Sequence, residues 1–222
     1  MQPLIVIILG RSGCGKGTQA EMIQKKFDLD YFGSGDALRK REGICDFTGK
    51  KIEKVINSGI FVPVPVIVQI WINKLEDYKN KNSDFKGLIF DGAPRKLMEA
   101  ELMDLALEWY EWDKNVKVLL IDISEEEAFN RLTKRKICKG CGKKIPYLGE
   151  YKNLVKCDEC GGNLITRADD TKESIRGRLN EFNKETLPVI EHYKNKGWLI
   201  KINGEQGIEK VHESILTALE PY

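Results

Sequence analysis

The chain lacks long hydrophobic runs and an excess of charge of one sign, and has only two histidines. Its most compact apolar stretch, Leu4–Leu9, is far short of the roughly 18 residues of a membrane span, so a transmembrane reading is excluded. Thirty-six basic against 34 acidic residues leave a net charge of +2 over 222 residues, which offers no bulk attraction to polyanions. Both histidines, His192 and His212, stand alone without ligand-type neighbours, which argues against histidine-based metal or acid–base chemistry. No low-complexity tract or long repeat interrupts the chain. The N-terminal apolar run is too short for a secretory leader and lacks a basic flank, so a cytoplasmic protein is expected. What remains is a mixed, charged surface and enough apolar residues (41%) for one good core with inserted lobes.

Glycine, by contrast, is concentrated where it counts. The stretch GRSGCGKGTQ, residues 10–19, follows directly on the buried-strand pattern Leu4–Leu9 and precedes helical spacing at Ala20, Ile23 and Phe27. Strand, glycine-rich turn and helix form a phosphate cradle: converging backbone N–H groups and the helix dipole both favour an anion. Gly10-x4-Gly15-Lys16 has the phosphate-loop spacing, with the expected hydroxyl displaced past Gly17 to Thr18. Lys16 is predicted to sit against the β- and γ-phosphates, Thr18 near the phosphates or a Mg²⁺ ion, and Cys14 to fill a small space.

Further strands are expected at Gly87–Phe90, Val116–Ile123 and Trp198–Ile202, and helices at Val66–Tyr78, Leu97–Tyr110, Glu125–Lys134 and Glu173–Tyr193. The alternation predicts an α/β, three-layer αβα fold with a parallel central sheet. Residues 34–62 read as short helices, and 134–170 carry two metal knuckles; both look like lobes inserted over the phosphate loop. The knuckles are Cys138-x2-Cys141 and Cys157-x2-Cys160, a spacing that predicts a closed, structural tetrahedral site, most simply for Zn²⁺.

Arginines are the second informative class, because a phosphoryl group in transfer spreads negative charge that a rigid guanidinium fork can stabilise. Arg95 lies just past a buried strand in IFDGAPRK, and Asp91 in the same stretch is suited to hold Mg²⁺ through water. Arg131 and Arg135, four apart, are expected on one side of the helix entering the knuckle segment. Arg167 leaves that segment in TRADD, and Arg178 follows in the next helix.

These stretches, with GSGDALR at 33–39 and RLTKRKIC at 131–138, resemble the adenylate kinase family, in the branch whose lid carries a zinc ribbon. The likeness spans essentially the whole chain. It implies a P-loop core (1–32, 63–133 and 171–222), a lobe binding the nucleoside monophosphate (33–62) and a zinc-ribbon lid (134–170). The implied reaction is MgATP + AMP giving two ADP, by a cytoplasmic monomer that engages small nucleotides and neither nucleic acid nor membrane. Carried over by position, Gly13, Cys14, Gly15, Lys16, Gly17 and Thr18 would bind the ATP phosphates, with Arg131, Tyr147 and the Gln206 backbone near its base. Ser34, Arg39, Gly92, Arg95 and the backbone of Ile60, Phe61 and Val62 would hold the acceptor. Arg135, Arg167 and Arg178 would gather round the transferring group, with Asp169 and Asp170 orienting them.

Three positions depart from the family pattern: Arg11 with Ser12, where small residues are usual; Ala93, in place of an aromatic; and Glu99, in place of the glutamine that reads the acceptor base. An ionised carboxylate only accepts hydrogen bonds, which suits guanine's two N–H donors better than adenine's edge. Three outcomes follow for Glu99: an altered acceptor such as GMP or UMP, a solvent-facing side chain paired with Lys96, or a protonated acid that mimics an amide. Two other functions stand further off. A GTPase needs Asn-Lys-x-Asp, and the nearest string, Asn73 to Glu76, ends in the wrong acid. A zinc ribbon that binds nucleic acid would use the eight basic residues of 134–156, but leaves Lys16, Asp91 and Arg95 without a purpose.

Overall fold

A computed structural model describes residues 2–81 and 84–220. Strand β1 (Leu4–Leu9) is buried along its whole length, because apolar side chains on both of its faces meet a layer of helices. It is the centre of a five-stranded parallel sheet ordered β2-β3-β1-β4-β8, with β2 at Asp30–Gly33, β3 at Gly87–Asp91, β4 at Val116–Asp122 and β8 at Leu199–Asn203. Four of these strands agree with expectation to within a residue or so at either end. The edge strand β2 was not expected: DYFG is four residues long and carries no clear alternation.

Side chains from the two faces of the sheet feed two separate cores. One joins Ile5, Ile7 and Phe90 to Trp71, Leu75, Met103 and Tyr193, under helices α4 (Val64–Lys81), α5 (Leu97–Trp109) and α8 (Leu187–Asn195). The other joins Val6, Ile8 and Ile121 to Ile23, Leu132, Ile175 and Ile215, under α1 (Lys16–Phe27), α6 (Glu125–Lys134), α7 (Lys172–Glu181) and α9 (Ile208–Leu219). Helix α6 forms as its sequence dictates: the Ser124 hydroxyl accepts the Glu127 N–H, and Glu125, Glu126 and Glu127 in the first turn complement the helix dipole.

The expected single helix over 173–193 is corrected. The chain stays helical from α7 into α8 but passes through a wide π-type turn at Phe182–Thr186. Pro188, which has no N–H to continue the α ladder, lies just beyond that turn. Thr186 in the turn uses its hydroxyl to donate to the Arg95 carbonyl at 3.0 Å, which ties the turn to the loop after β3.

Two segments lie off this frame. Helices α2 (Ser34–Glu42) and α3 (Phe47–Ser58) pack on each other, with Asp46 capping α3 by accepting the Gly49 N–H at 2.7 Å. Residues 136–165 form a small antiparallel sheet, β6-β5-β7, from Lys136–Cys138 (β5), Lys144–Ile145 (β6) and Leu164–Ile165 (β7).

Candidate active site

The phosphate loop turns where its glycines allow. Gly10 has φ +144, and a Cβ there would fall 2.4 Å from the Ile121 carbonyl oxygen; Gly15 has φ +101, a conformation L side chains rarely adopt. Lys16 bends over the turn so that its ammonium donates to the carbonyls of Gly10 at 2.7 Å and Arg11 at 2.9 Å. Gly13, Cys14, Gly15, Lys16, Gly17 and Thr18 all line one cavity of about 830 Å³.

Arg95 lines the same cavity. Its Nε donates to the Gly92 carbonyl at 2.7 Å, its Nη2 to the Ser34 hydroxyl at 3.2 Å, and its guanidinium lies 4.8 Å from the Phe61 ring. Ser34 in turn donates to the Gly92 carbonyl at 2.6 Å. Burial lowers the Arg95 pKa, and the charges of Glu99 and Asp91 oppose that shift. Asp91, at the end of β3, accepts the Tyr31 hydroxyl at 3.0 Å through Oδ2. Arg39, Ile60, Phe61, Val62 and Gly92 complete this end of the cavity.

A second arginine group closes the other side. Asp170, whose side chain is wholly buried, accepts Arg135 Nε at 2.5 Å, Arg135 Nη2 at 2.8 Å and Arg178 Nη1 at 2.9 Å. Asp169 accepts Arg167 Nε at 2.7 Å and pairs with Arg178 Nη2 at 3.1 Å. Burial pushes the Asp169 carboxyl up, but Arg167, Arg178 and Arg39 overcome it and hold the group at about 2. Arg135 is pulled down by burial, against the Asp170 hydrogen bond and charge.

Arg131 and Arg135 do not share a helix face as expected. Helix α6 stops at Lys134, and Arg135 caps it in extended backbone. Arg131 instead bonds Glu127 at 2.6 Å and the Gly204 carbonyl at 3.0 Å. Both still line the cavity, as does Tyr147; Gln206 is not among the lining residues, whereas Gly204 and Ile208 are.

The solvent-facing alternative for Glu99 is overturned, because α5 turns that position inward: the residue is 2% exposed. Its Oε2 accepts the Arg95 backbone N–H at 2.8 Å, and its Oε1 is buried with no partner. Burial raises the carboxyl above the usual carboxylate range, against the Arg95 N–H and guanidinium. Two contacts escaped the sequence reading. Lys144 on β6 donates to Asp36 on α2 at 2.8 Å, and both line the cavity, although Asp36 sits inside the GSGDALR stretch. Arg11 ties the phosphate loop to the π-type turn through Asn183 at 3.2 Å and the Phe182 ring at 4.8 Å.

In the knuckle segment, the sulfurs of Cys138, Cys141, Cys157 and Cys160 all lie within 4.8 Å of one another. Four thiolates around one Zn²⁺ at about 2.3 Å would place sulfurs roughly 3.8 Å apart, so the cluster fits a tetrahedral ion. The Gly140 N–H points at the Cys138 sulfur at 3.3 Å, a donor suited to a thiolate.

Comparison with known proteins agrees with this geometry. A family model of adenylate kinases matches residues 8–198. The adenylate kinase of Caldicellulosiruptor bescii is 37% identical over 218 residues, covering 96% of this chain and 98% of that one. The adenylate kinase of Kosmotoga olearia is 37% identical over 216 residues, covering 97% and 98%, and that of Methanothrix thermoacetophila 34% over 219, covering 98% and 99%. A full-length relationship at this identity, with Lys16 and Arg95 on one cavity, settles the kinship: the chain belongs to the adenylate kinase family.

Proposed function

We propose that this phosphotransferase moves the terminal phosphoryl group of ATP to AMP, reversibly, giving two ADP. The observation that carries the proposal is the meeting of Lys16 and Arg95 on one cavity, which gives a donor phosphate and an acceptor phosphate a common space. The phosphate-loop amides and Lys16 hold the donor, with Arg131, Tyr147 and the chain near Gln206 towards its base. Ser34, Arg39, Arg95 and residues 60–62 hold the acceptor.

Arg135, Arg167 and Arg178 line the space between and stabilise the charge that spreads over the moving group. No covalent intermediate is required. Positioning, charge stabilisation and exclusion of water supply the rate. Asp91 and Thr18 fit a magnesium site, since Mg²⁺ takes few protein ligands and keeps waters. When bound there, the ion neutralises phosphate charge; Asp91 would hold it through water.

Residues 33–62 and 134–170 act as closing lobes around a fixed core, the second pinned by structural zinc on its four cysteines. The Lys144–Asp36 pair, which spans the two, supports closure over the cavity. A coupled assay of ADP formation from ATP with AMP, GMP, UMP or CMP tests the assignment: AMP should be turned over fastest. Equal turnover of all four, or none with AMP, would refute it.

A further inference from the structure

We propose that Glu99 reads the acceptor base as a neutral carboxylic acid, taking up one proton as AMP enters and donating O–H to the lone pair of adenine N1. The inference rests on AMP being the acceptor. It starts from a buried carboxyl on the cavity wall with one oxygen committed to the Arg95 N–H and the other without any partner. A buried oxygen left bare is costly, so either a ligand donor or a proton has to satisfy it.

The groups facing this carboxyl leave that oxygen short of a full hydrogen bond. From α4 comes the indole of Trp71, whose buried Nε1–H acts on the carboxyl and favours its ionised form but stays outside hydrogen-bond geometry. From α8 comes the Tyr193 hydroxyl, buried and likewise unpartnered, with Asp104 beyond it; burial and then the Asp104 charge hold that phenol protonated. From the loop after β3 come the backbone N–H groups of Arg95 and Lys96 and the Arg95 guanidinium. The guanidinium is the full positive charge acting on Glu99 directly, while Asp91, Arg39 and Arg178 act on Arg95.

That arrangement makes the proton depend on the ligand. In the empty site the Arg95 charge favours ionised Glu99 against the strong desolvation that favours the acid. An acceptor phosphate, carrying roughly −1.5 to −2 charge at neutral pH, binds where Arg95 and Ser34 point and cancels the field that favours the ionised form, so the balance moves further towards the acid. The base meanwhile displaces the remaining water. Adenine then presents N1, which only accepts, beside its N6 amino group, which donates. A carboxylate would repel N1; a neutral carboxyl offers the O–H that N1 needs and a carbonyl oxygen for N6–H. The proton comes from solvent and returns to it when the adenine nucleotide leaves, so the cycle consumes none.

The test is calorimetric titration of AMP into the whole enzyme at pH 8, in Tris and in Hepes, whose different ionisation heats report proton uptake. The wild type is expected to take up about one proton more than Glu99→Gln. In parallel, KM for AMP should rise with pH by up to about tenfold per unit in the wild type, with kcat moving less, and stay flat in Glu99→Gln. An arm free of mutation uses 1-deaza-AMP, which lacks the N1 lone pair and should show neither the uptake nor the slope. Equal proton counts and equal slopes for wild type and Glu99→Gln overturn the inference alone, whereas a wild type that prefers GMP overturns the acceptor assignment as well. Absence of AMP turnover at every pH removes the acceptor assignment and the inference with it.

Discussion

Replacing Asp170 by asparagine keeps the side chain's shape and removes its charge, and the consequences follow from three contacts. The carboxylate is wholly buried and accepts two bonds from Arg135 and one from Arg178. An amide presents two N–H donors where a guanidinium needs an acceptor, and leaves two partly buried cations without the charge that they share. Breaking a fully buried pair costs about 3–5 kcal/mol. The Arg135 and Arg178 side chains keep 23% and 11% of their exposure, so solvent relieves part of that cost. A loss of about 2–4 kcal/mol remains, which for a chain of this size lowers Tm by roughly 4–16 °C. The kinetic effect should be larger than stability alone explains. Two guanidiniums that lose their fixed aim resemble a lost oxyanion donor, so kcat should fall by about 10²- to 10³-fold, with a smaller change in KM. Urea or thermal unfolding gives the first number and the coupled ADP assay, run well below the shifted Tm, the second. A variant with lowered Tm and kcat within threefold of wild type would refute the reasoning: Asp170 would then be a staple between segments, and the aim of the arginines would not matter to the reaction.

Lys16→Met should keep the fold, since the ammonium's partners are two carbonyls and the Cys14 sulfur of its own loop, while kcat falls by about 10²-fold or more; circular dichroism with the ADP assay checks both. Chelation should release one zinc per chain and raise hydrogen exchange across 136–165 while β1 stays protected, as read by mass spectrometry; equal protection of 136–165 with and without metal would count against a structural ion. Asp169 titrates at about 2 in the fold, below the ordinary carboxylate value near 3.9, so its contribution of about 2 kcal/mol is complete above pH 4 and lost as pH falls towards 2. Acid-unfolding curves of Asp169→Asn should therefore be shallower across that window, and curves parallel to wild type would contradict the assignment.

What could be read from the sequence was what local spacing controls. The phosphate loop is ten consecutive residues, α6 runs from a serine cap to its last lysine, and the four cysteines come in pairs three apart; each needs no knowledge of the rest of the chain. What stayed hidden depends on distant partners. The edge strand β2 exists because Asp30–Gly33 finds β3, fifty-eight residues on at Leu88. The inward aim of Glu99 depends on which face of α5 meets the sheet, and with acids and apolar residues interleaved around that helix no stripe announces it. The split between Arg131 and Arg135 depends on Asp170 and Gly204, which lie on separate segments. Family resemblance supplied several roles that spacing could not, because it encodes those tertiary pairings indirectly.

The pairings also explain why the arginines are held by too few acids. Arg95, Arg135 and Arg167 each engage protein through Nε and Nη2, leaving Nη1 without a protein partner among the described residues. One edge of each fork is fixed, so the rotamer freedom of a long side chain is lost on folding rather than on binding. The free edge is the one a phosphate oxygen can use. Two carboxylates, Asp169 and Asp170, serve three guanidiniums, those of Arg135, Arg167 and Arg178, and a positive excess survives in the cavity. Full neutralisation would stabilise the empty protein but remove the field that draws phosphates in and steadies charge in transfer. A third acid facing Arg178 would lose rate, read as a lower kcat in the ADP assay, because the guanidinium would then bind its own chain in preference to the moving phosphoryl group.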